Sequence, residues 1–183
     1  MNGDNLNESI EKCTEFNEII SDILSNETVQ EMKKFIQHGE ISCYSHCYYV
    51  AYYTYLICKK LKLDYKSAAR GAMLHDLFLY DWHTTSPADI NEKGAHAWAH
   101  PRIALKNASQ IFNLNETEKD IIKNHMWPVT IRIPKTKEAF IVSCMDKYSA
   151  TAETFMNCRN KITSSKVYRY AYIFLGFFIF RIF

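Results

Sequence analysis

The sequence predicts an all-α protein folded as a single-domain helical bundle. Three observations carry this. Only 5 Gly and 4 Pro occur in 183 residues, too few for a fold rich in tight turns. Apolar residues recur at helical spacing along most of the chain. Helix-start signals stand where the periodic runs begin, at Ser25 and Asn26, at Asp64, and at Asn115 with Glu118 three residues on. With 48% hydrophobic and 23% charged residues, the chain is long enough to bury a sizeable core in one domain.

Residues 5–24 carry an apolar stripe of Ile10, Phe16, Ile19, Ile20, Ile23 and Leu24, and read as a first helix. A second runs over 27–37 after Ser25 and Asn26, and Gly39 ends it. Residues 42–61 are apolar almost all round, which marks a central helix. One face of it holds His46, Tyr49, Val50, Tyr53 and Ile57, and the opposite face Tyr44, Tyr48, Tyr52 and Tyr55. A Tyr stripe at this spacing reads as core or interhelix packing rather than as a substrate platform.

Residues 64–79 read as a helix capped by Asp64. Periodicity fails over 80–94, where turn residues dominate, and Asp81, Trp82 and His83 follow directly on that helix. A loop of this length in a small domain reads as a substrate-facing lid. The next helix begins near His100, with Pro101 in its first turn, and runs to Phe112. Asn115 and Glu118 open the helix that carries His125; Pro128 and Pro134 bracket an extended connector; and 136–158 form the helix that carries Asp146.

His75 and Asp76 are adjacent in the apolar run 68–77. A carboxylate buried among Ala, Met and Leu loses several kcal/mol of hydration, so it needs a cation or a metal beside it. Adjacent helical residues point about 100° apart, so other helices must complete the set. His46, His100, His125 and Asp146 all sit in apolar helical contexts and supply imidazole and carboxylate, an N/O donor set suited to Fe, Mn, Ni, Co or Zn. His96 competes with His100, from which it is four residues removed; His100 is preferred because Pro101 begins the helix beneath it.

The order His46, then His75 and Asp76, then Asp146 resembles that of the HD-domain metal-dependent phosphohydrolases over roughly residues 40–156. The resemblance implies a helical bundle of the HD-domain type in which these four residues bind a catalytic divalent ion. His100 and His125 match the two further His of the binuclear branches, such as the bacterial symmetrical diadenosine tetraphosphatases and the HD-GYP phosphodiesterases, and imply a second ion bridged by Asp76. The GYP signature itself is absent. Many members carry a Lys three residues after the Asp; Leu79 stands there in this chain.

The activity implied is hydrolysis of a phosphate ester or anhydride, with a nucleotide or dinucleoside polyphosphate as the phosphorylated small-molecule substrate. Asp76, Lys147 and His83 are the expected catalytic residues, and Arg102, His96, Asp81 and Trp82 the expected substrate contacts. A non-catalytic or regulatory metal-binding module with a C-terminal interaction surface is the alternative, and Leu79 is the residue that favours it.

Residues 1–39 read as N-terminal helices packed on the core, 40–158 as the metal-binding domain, and 159–183 as a basic, aromatic C-terminal helix, all in one globular unit. The formal charge of +2 is uneven, since 154–183 carry Arg159, Lys161, Lys166, Arg169 and Arg181 and no acid. The apolar stretch within 167–183 is shorter than the roughly 20 residues a membrane span needs, and Arg181 interrupts it. Core packing, a homodimer interface and peripheral membrane contact stay open for it. Nothing indicates nucleic-acid binding directly. Six Cys without a Cys-x-x-Cys, and no secretory signal, give reduced thiols in the cytoplasm as the expectation.

Overall fold

A computed structural model describes residues 13–164, and the fold within them is all-α with one two-stranded hairpin. The predicted helical residues 5–12 and the aromatic stretch 167–183 lie outside the described residues, as do the interface and membrane contacts expected of that stretch.

Three short helices open the described chain: α1 (Thr14–Ile19), α2 (Ser21–Leu24) and α3 (Glu27–Gln30). The first stripe is therefore broken at Ile20 rather than forming one helix. The Asn26 side chain caps α3 by accepting from the Thr28 and Val29 amides. Phe16, Ile20, Ile23 and Val29 are fully buried against the core. The second predicted helix is cut short. A 3-10 turn, Glu31–Lys34, passes into β1 (Ile36–His38), which pairs antiparallel with β2 (Ile41–Ser42). Gly39, at φ +64°, turns this hairpin instead of ending a helix.

The central helix α4 (Cys43–Lys60) is capped by Ser42, whose hydroxyl accepts from the Ser45 amide. It packs against α5 (Tyr65–Leu74) and the long α8 (Lys137–Ser164), with α7 (Glu116–Asn124) lying on α5 and α8, and α6 (His96–Ile111) on α7. Its Tyr stripe is a packing surface: the Tyr48, Tyr52 and Tyr55 rings surround Phe16 of α1 at centroid distances of 5.6, 5.3 and 5.5 Å. Gly71 lets α5 and α7 approach closely, because a Cβ there would lie 2.8 Å from Ile121 Cδ1.

Asp64 caps α5 as expected, accepting from the Ser67 amide. The helix nevertheless stops at Leu74, five residues early. His75 is its C-cap; Leu79, at φ +56°, completes the exit. The carbonyls freed there are taken by neighbours: Cys43 Sγ lies 3.3 Å from the Asp76 carbonyl, and Asn107 of α6 donates to that of Leu77. The apolar pattern runs on through Leu77 and Phe78 because these pack in the core as loop residues.

Helix α6 starts a turn earlier than predicted, at His96, so Pro101 lies inside it. The predicted lid 80–94 holds a short 3-10 turn, Pro87–Ile90, closed by a Ser86 and Asp89 capping box. Turns over 125–129 follow α7, with the Thr130 amide donating to the Met126 carbonyl, and the expected connector between Pro128 and Pro134 begins in them and ends in residues 132–134, which form no regular element. Asp120 pins the start of α8, accepting from the Lys135 and Thr136 amides and the Thr136 hydroxyl. No helix among the described residues is long and apolar enough to cross a membrane, and their cysteines are free.

Candidate metal centre

Each of the helices α4 to α8 delivers a side chain to one buried point, either from within the helix or from its end. His46 comes from the first turn of α4, His75 and Asp76 from the end of α5, His100 from α6, His125 from the C-cap of α7 and Asp146 from α8. All six are buried, with at most 7% of the residue surface exposed.

Asp76 occupies the middle. Its Oδ1 is 3.3 Å from His100 Nε2 and 3.4 Å from His125 Nε2, while its Oδ2 is 3.5 Å from His75 Nε2 and accepts from Gln37 Nε2 at 2.5 Å. His75 Nε2 is also 3.7 Å from Asp146 Oδ1, which lies 3.1 Å from His46 Nε2. The His100 and His125 Nε2 atoms are 2.9 Å apart. Three His/Asp ligand groups thus overlap, namely His46, His75 and Asp76; Asp76, His100 and His125; and His75, His125 and Asp146; a fourth group, Cys43, Cys47 and Asp76, shares the same carboxylate.

The other nitrogen of each ring is held from behind. His75 Nδ1 is 2.7 Å from the Ala72 carbonyl, His125 Nδ1 2.9 Å from that of Ile122, and His100 Nδ1 2.9 Å from that of His96. These contacts fix Nδ1–H tautomers and turn the Nε2 lone pairs towards Asp76. His46 Nδ1 instead sits 3.0 Å from both oxygens of Glu153.

The residues fit a metal. His75 Nε2 and Asp76 Oδ1 are buried without a hydrogen-bond partner, and converging acceptors of this kind are costly unless a cation lies between them. Electrostatics agrees. Burial opposes charge on His46, but Asp146 and Glu153 on either side hold its pKa well above the ordinary value. Burial likewise opposes charge on His75, and the Asp76 carboxylate holds its pKa well up. For Asp76 burial is again the largest influence and is overcome by His75, His100 and His125, which keep the carboxyl ionised well below its usual range. Burial pushes His125 down to about 4, leaving a neutral ring able to ligate.

Protons on His46 and His75 thus stand in for cations when none is bound. Because a ligating imidazole must be neutral, metal affinity is expected to rise with pH until it passes the raised pKa values of these two residues. Titration calorimetry with Mn at increasing pH, in buffers of differing ionisation enthalpy, should show proton release on binding. Affinity independent of pH would contradict this.

The expected substrate residues divide. Trp82, His96 and Lys147 line a cleft of about 260 Å³ over Asp76, together with Gln37, Met126, Val129 and Ala150. His96 stacks between Trp82 and His100, at 5.1 and 4.5 Å between ring centroids, and its Nδ1 meets the Tyr80 hydroxyl at 2.8 Å. Lys147 donates to Asp146 and to the His125 carbonyl. His83 and Asp81 pair with each other at the surface and do not line the cleft. Arg102 is turned outward, donating to the Trp98 and Lys93 carbonyls, with Glu92 beside it. Its position two residues beyond His100 puts it on another face of α6.

Preference for His100 over His96 as the residue beside Asp76 agrees with the geometry, but for a different reason. Both lie on one face of a helix that has already begun, and His100 is the one a turn deeper. Two side chains that bond directly to the six-residue cluster carried no expectation. Glu153 lies seven residues after Asp146, two turns along the same face of α8, and that spacing was the available signal. Gln37 had none, since it reaches Asp76 only through a hairpin read as helix. Glu153→Gln is expected to keep the fold and weaken metal affinity by roughly 10–100-fold, as loss of a partner behind a ligating His does. Competition with a chelating dye measures it; unchanged affinity would show the pair to be structural.

A helical bundle with an internal His/Asp cluster defines a class of all-α metal centre. The sequence model of the HD domain matches residues 43–151, more than half of the chain, and the chain belongs to the HD domain family. That places it in the superfamily of metal-dependent phosphohydrolases, whose domains bind divalent metals. No match was found among curated proteins or among solved structures.

Proposed function

We propose that this protein hydrolyses a phosphate ester or anhydride, with a nucleotide or dinucleoside polyphosphate as substrate. One observation carries the reading: Asp76 presents one oxygen to His100 and His125 and the other to His75, directly beneath a cleft open to a ligand. His46, His75, Asp76, His100, His125 and Asp146 would hold one or two divalent ions, with Asp76 shared. Such an ion supplies Lewis-acid polarisation of the phosphoryl oxygen and a more acidic bound water.

The chain's own residues do the rest. At about 260 Å³ the cleft is small beside ordinary ligand pockets, and it suits the phosphate end of a nucleotide with the base left outside. The Trp82 indole N–H, buried in its wall without a partner, is a ready donor to a phosphoryl oxygen. Lys147, held against Asp146, places positive charge at the same wall. His96 is neutral, since burial and the neighbouring His100 push its pKa down to about 4. If Tyr80 donates to His96 Nδ1, Nε2–H is left to face the substrate. These three groups take the part of the Lys that Leu79 replaces.

A regulatory module with a retained metal site is the second reading, and Leu79 favours it: its backbone is left-handed and its side chain packs on the core. A panel of nucleotides and dinucleoside polyphosphates assayed with Mn, Fe, Ni, Co and Zn separates the two. Turnover dependent on metal supports the enzyme; a metal-loaded protein inactive across the panel supports the module.

A further inference from the structure

A second and larger cleft, of about 690 Å³, lies along another face of α7 and shares no lining residue with the one over Asp76. Its floor and one wall are Glu116, Lys119, Asp120, Lys123 and Asn124, spaced to fall on one side of the helix. Arg132, Ile133 and Lys135 lead past it into α8, and Leu105 of α6 closes the far side.

Four cations face two carboxylates, and both carboxylates are engaged. Glu116 is paired with Lys119 at 2.8 Å. Asp120 is buried and accepts from the Asn124 amide, the Lys135 and Thr136 backbone amides and the Thr136 hydroxyl. Lys123, Arg132 and Lys135 are exposed and form no ion pair with any described residue. Three cations without a close ion pair line this groove, Lys135 near enough to Glu116 to help hold its pKa down, and the four cations outnumber the two carboxylates, a local positive potential that concentrates phosphate anions. Leu105 and Ile133 add an apolar surface in the same groove, and Ile133 is 70% exposed. An isoleucine this exposed beside a basic cluster suits a ligand with a flat apolar part and a polyanionic part.

We propose that this groove is a second ligand site, selective for a nucleoside polyphosphate, with the phosphates on Lys123, Arg132 and Lys135 and the base against Leu105 and Ile133. Its volume matches a single small ligand rather than a polymer, which would follow a longer basic track. The site stands apart from hydrolysis at Asp76, yet the two share α7: Asn124, in the groove floor, directly precedes His125.

The test is titration calorimetry of the full-length protein with ATP in chelator-containing buffer, where metal-dependent turnover is absent. ATP is expected to bind saturably to the native protein and equally to Lys60→Ala, which removes an exposed charge that lines neither cleft. Combined Lys123→Ala, Arg132→Ala and Lys135→Ala should weaken binding at least about thirtyfold, the loss of a few charge-assisted hydrogen bonds, at an unchanged unfolding temperature. Arg132→Ala alone, which removes one exposed side chain, should weaken it severalfold and serves if the triple variant is unstable. Tripolyphosphate should bind more weakly than ATP. The proposal is overturned if ATP does not bind, if the groove variants bind it as well as the native protein, if tripolyphosphate binds as tightly, or if single-stranded RNA outcompetes ATP for the groove.

Discussion

Replacing His75 and Asp76 together by Ala is expected to abolish both metal binding and any phosphohydrolase activity. Asp76 belongs both to the group with His46 and His75 and to the group with His100 and His125, and His75 belongs to the third group with His125 and Asp146, so the double change leaves none of the three complete. The milder Asp76→Asn keeps the volume and removes the charge. A bound metal contributes several kcal/mol of transition-state stabilisation, so even this change should lower turnover at least about a thousandfold. Gln37 would then face an amide instead of a carboxylate, and the charge on His75 would lose a counter-ion. Circular dichroism on the same samples separates a lost site from a lost fold. Substantial turnover by a folded double variant would contradict the assignment.

Phe16→Ala is expected to destabilise the protein by about 3–5 kcal/mol, the usual cost of emptying a buried aromatic site. Phe16 precedes the family-matched region, yet it is fully buried and its ring meets three tyrosines of α4. Polar contacts secure the same segment. Glu15 accepts from the Tyr55 and Tyr65 hydroxyls and pairs with Lys59, while Arg70 of α5 grips both oxygens of Asp22 and the Ile19 carbonyl. On this account the N-terminal helices complete the core of one unit. Urea denaturation measures the effect; a change under about 1 kcal/mol would make the segment an appendage.

The fold class and the six inward-facing side chains were legible because each rests on a local signal. Helical periodicity placed the central helix, Asp64 and Asn115 marked two helix starts, and the buried carboxylate at Asp76 demanded partners. What was not legible depends on tertiary contacts. The exit from α5 after Leu74 is stabilised by Cys43 and Asn107 from other helices, while the apolar pattern continues through Phe78. The hairpin at Ile36 pairs only three residues with two, too short for a period-2 pattern to emerge from a run that also reads as helix. Arg102, His83 and Asp81 were chosen for charge and nearness in sequence to the centre, and the fold gives each a surface partner instead. Glu153 shows the reverse case: helical spacing from Asp146 pointed at it, and only the buried His46 ring gives it a purpose.

The central claim is that the cluster around Asp76 is a metal centre. Elemental analysis of the purified full-length protein beside the His75→Ala and Asp76→Ala double variant tests it most directly. The account predicts one or two equivalents of a divalent transition metal per chain in the native protein, retained through gel filtration, and none in a folded double variant. No metal in the native protein even after incubation with Mn, Fe, Ni, Co or Zn, or equal metal in both proteins, would contradict it.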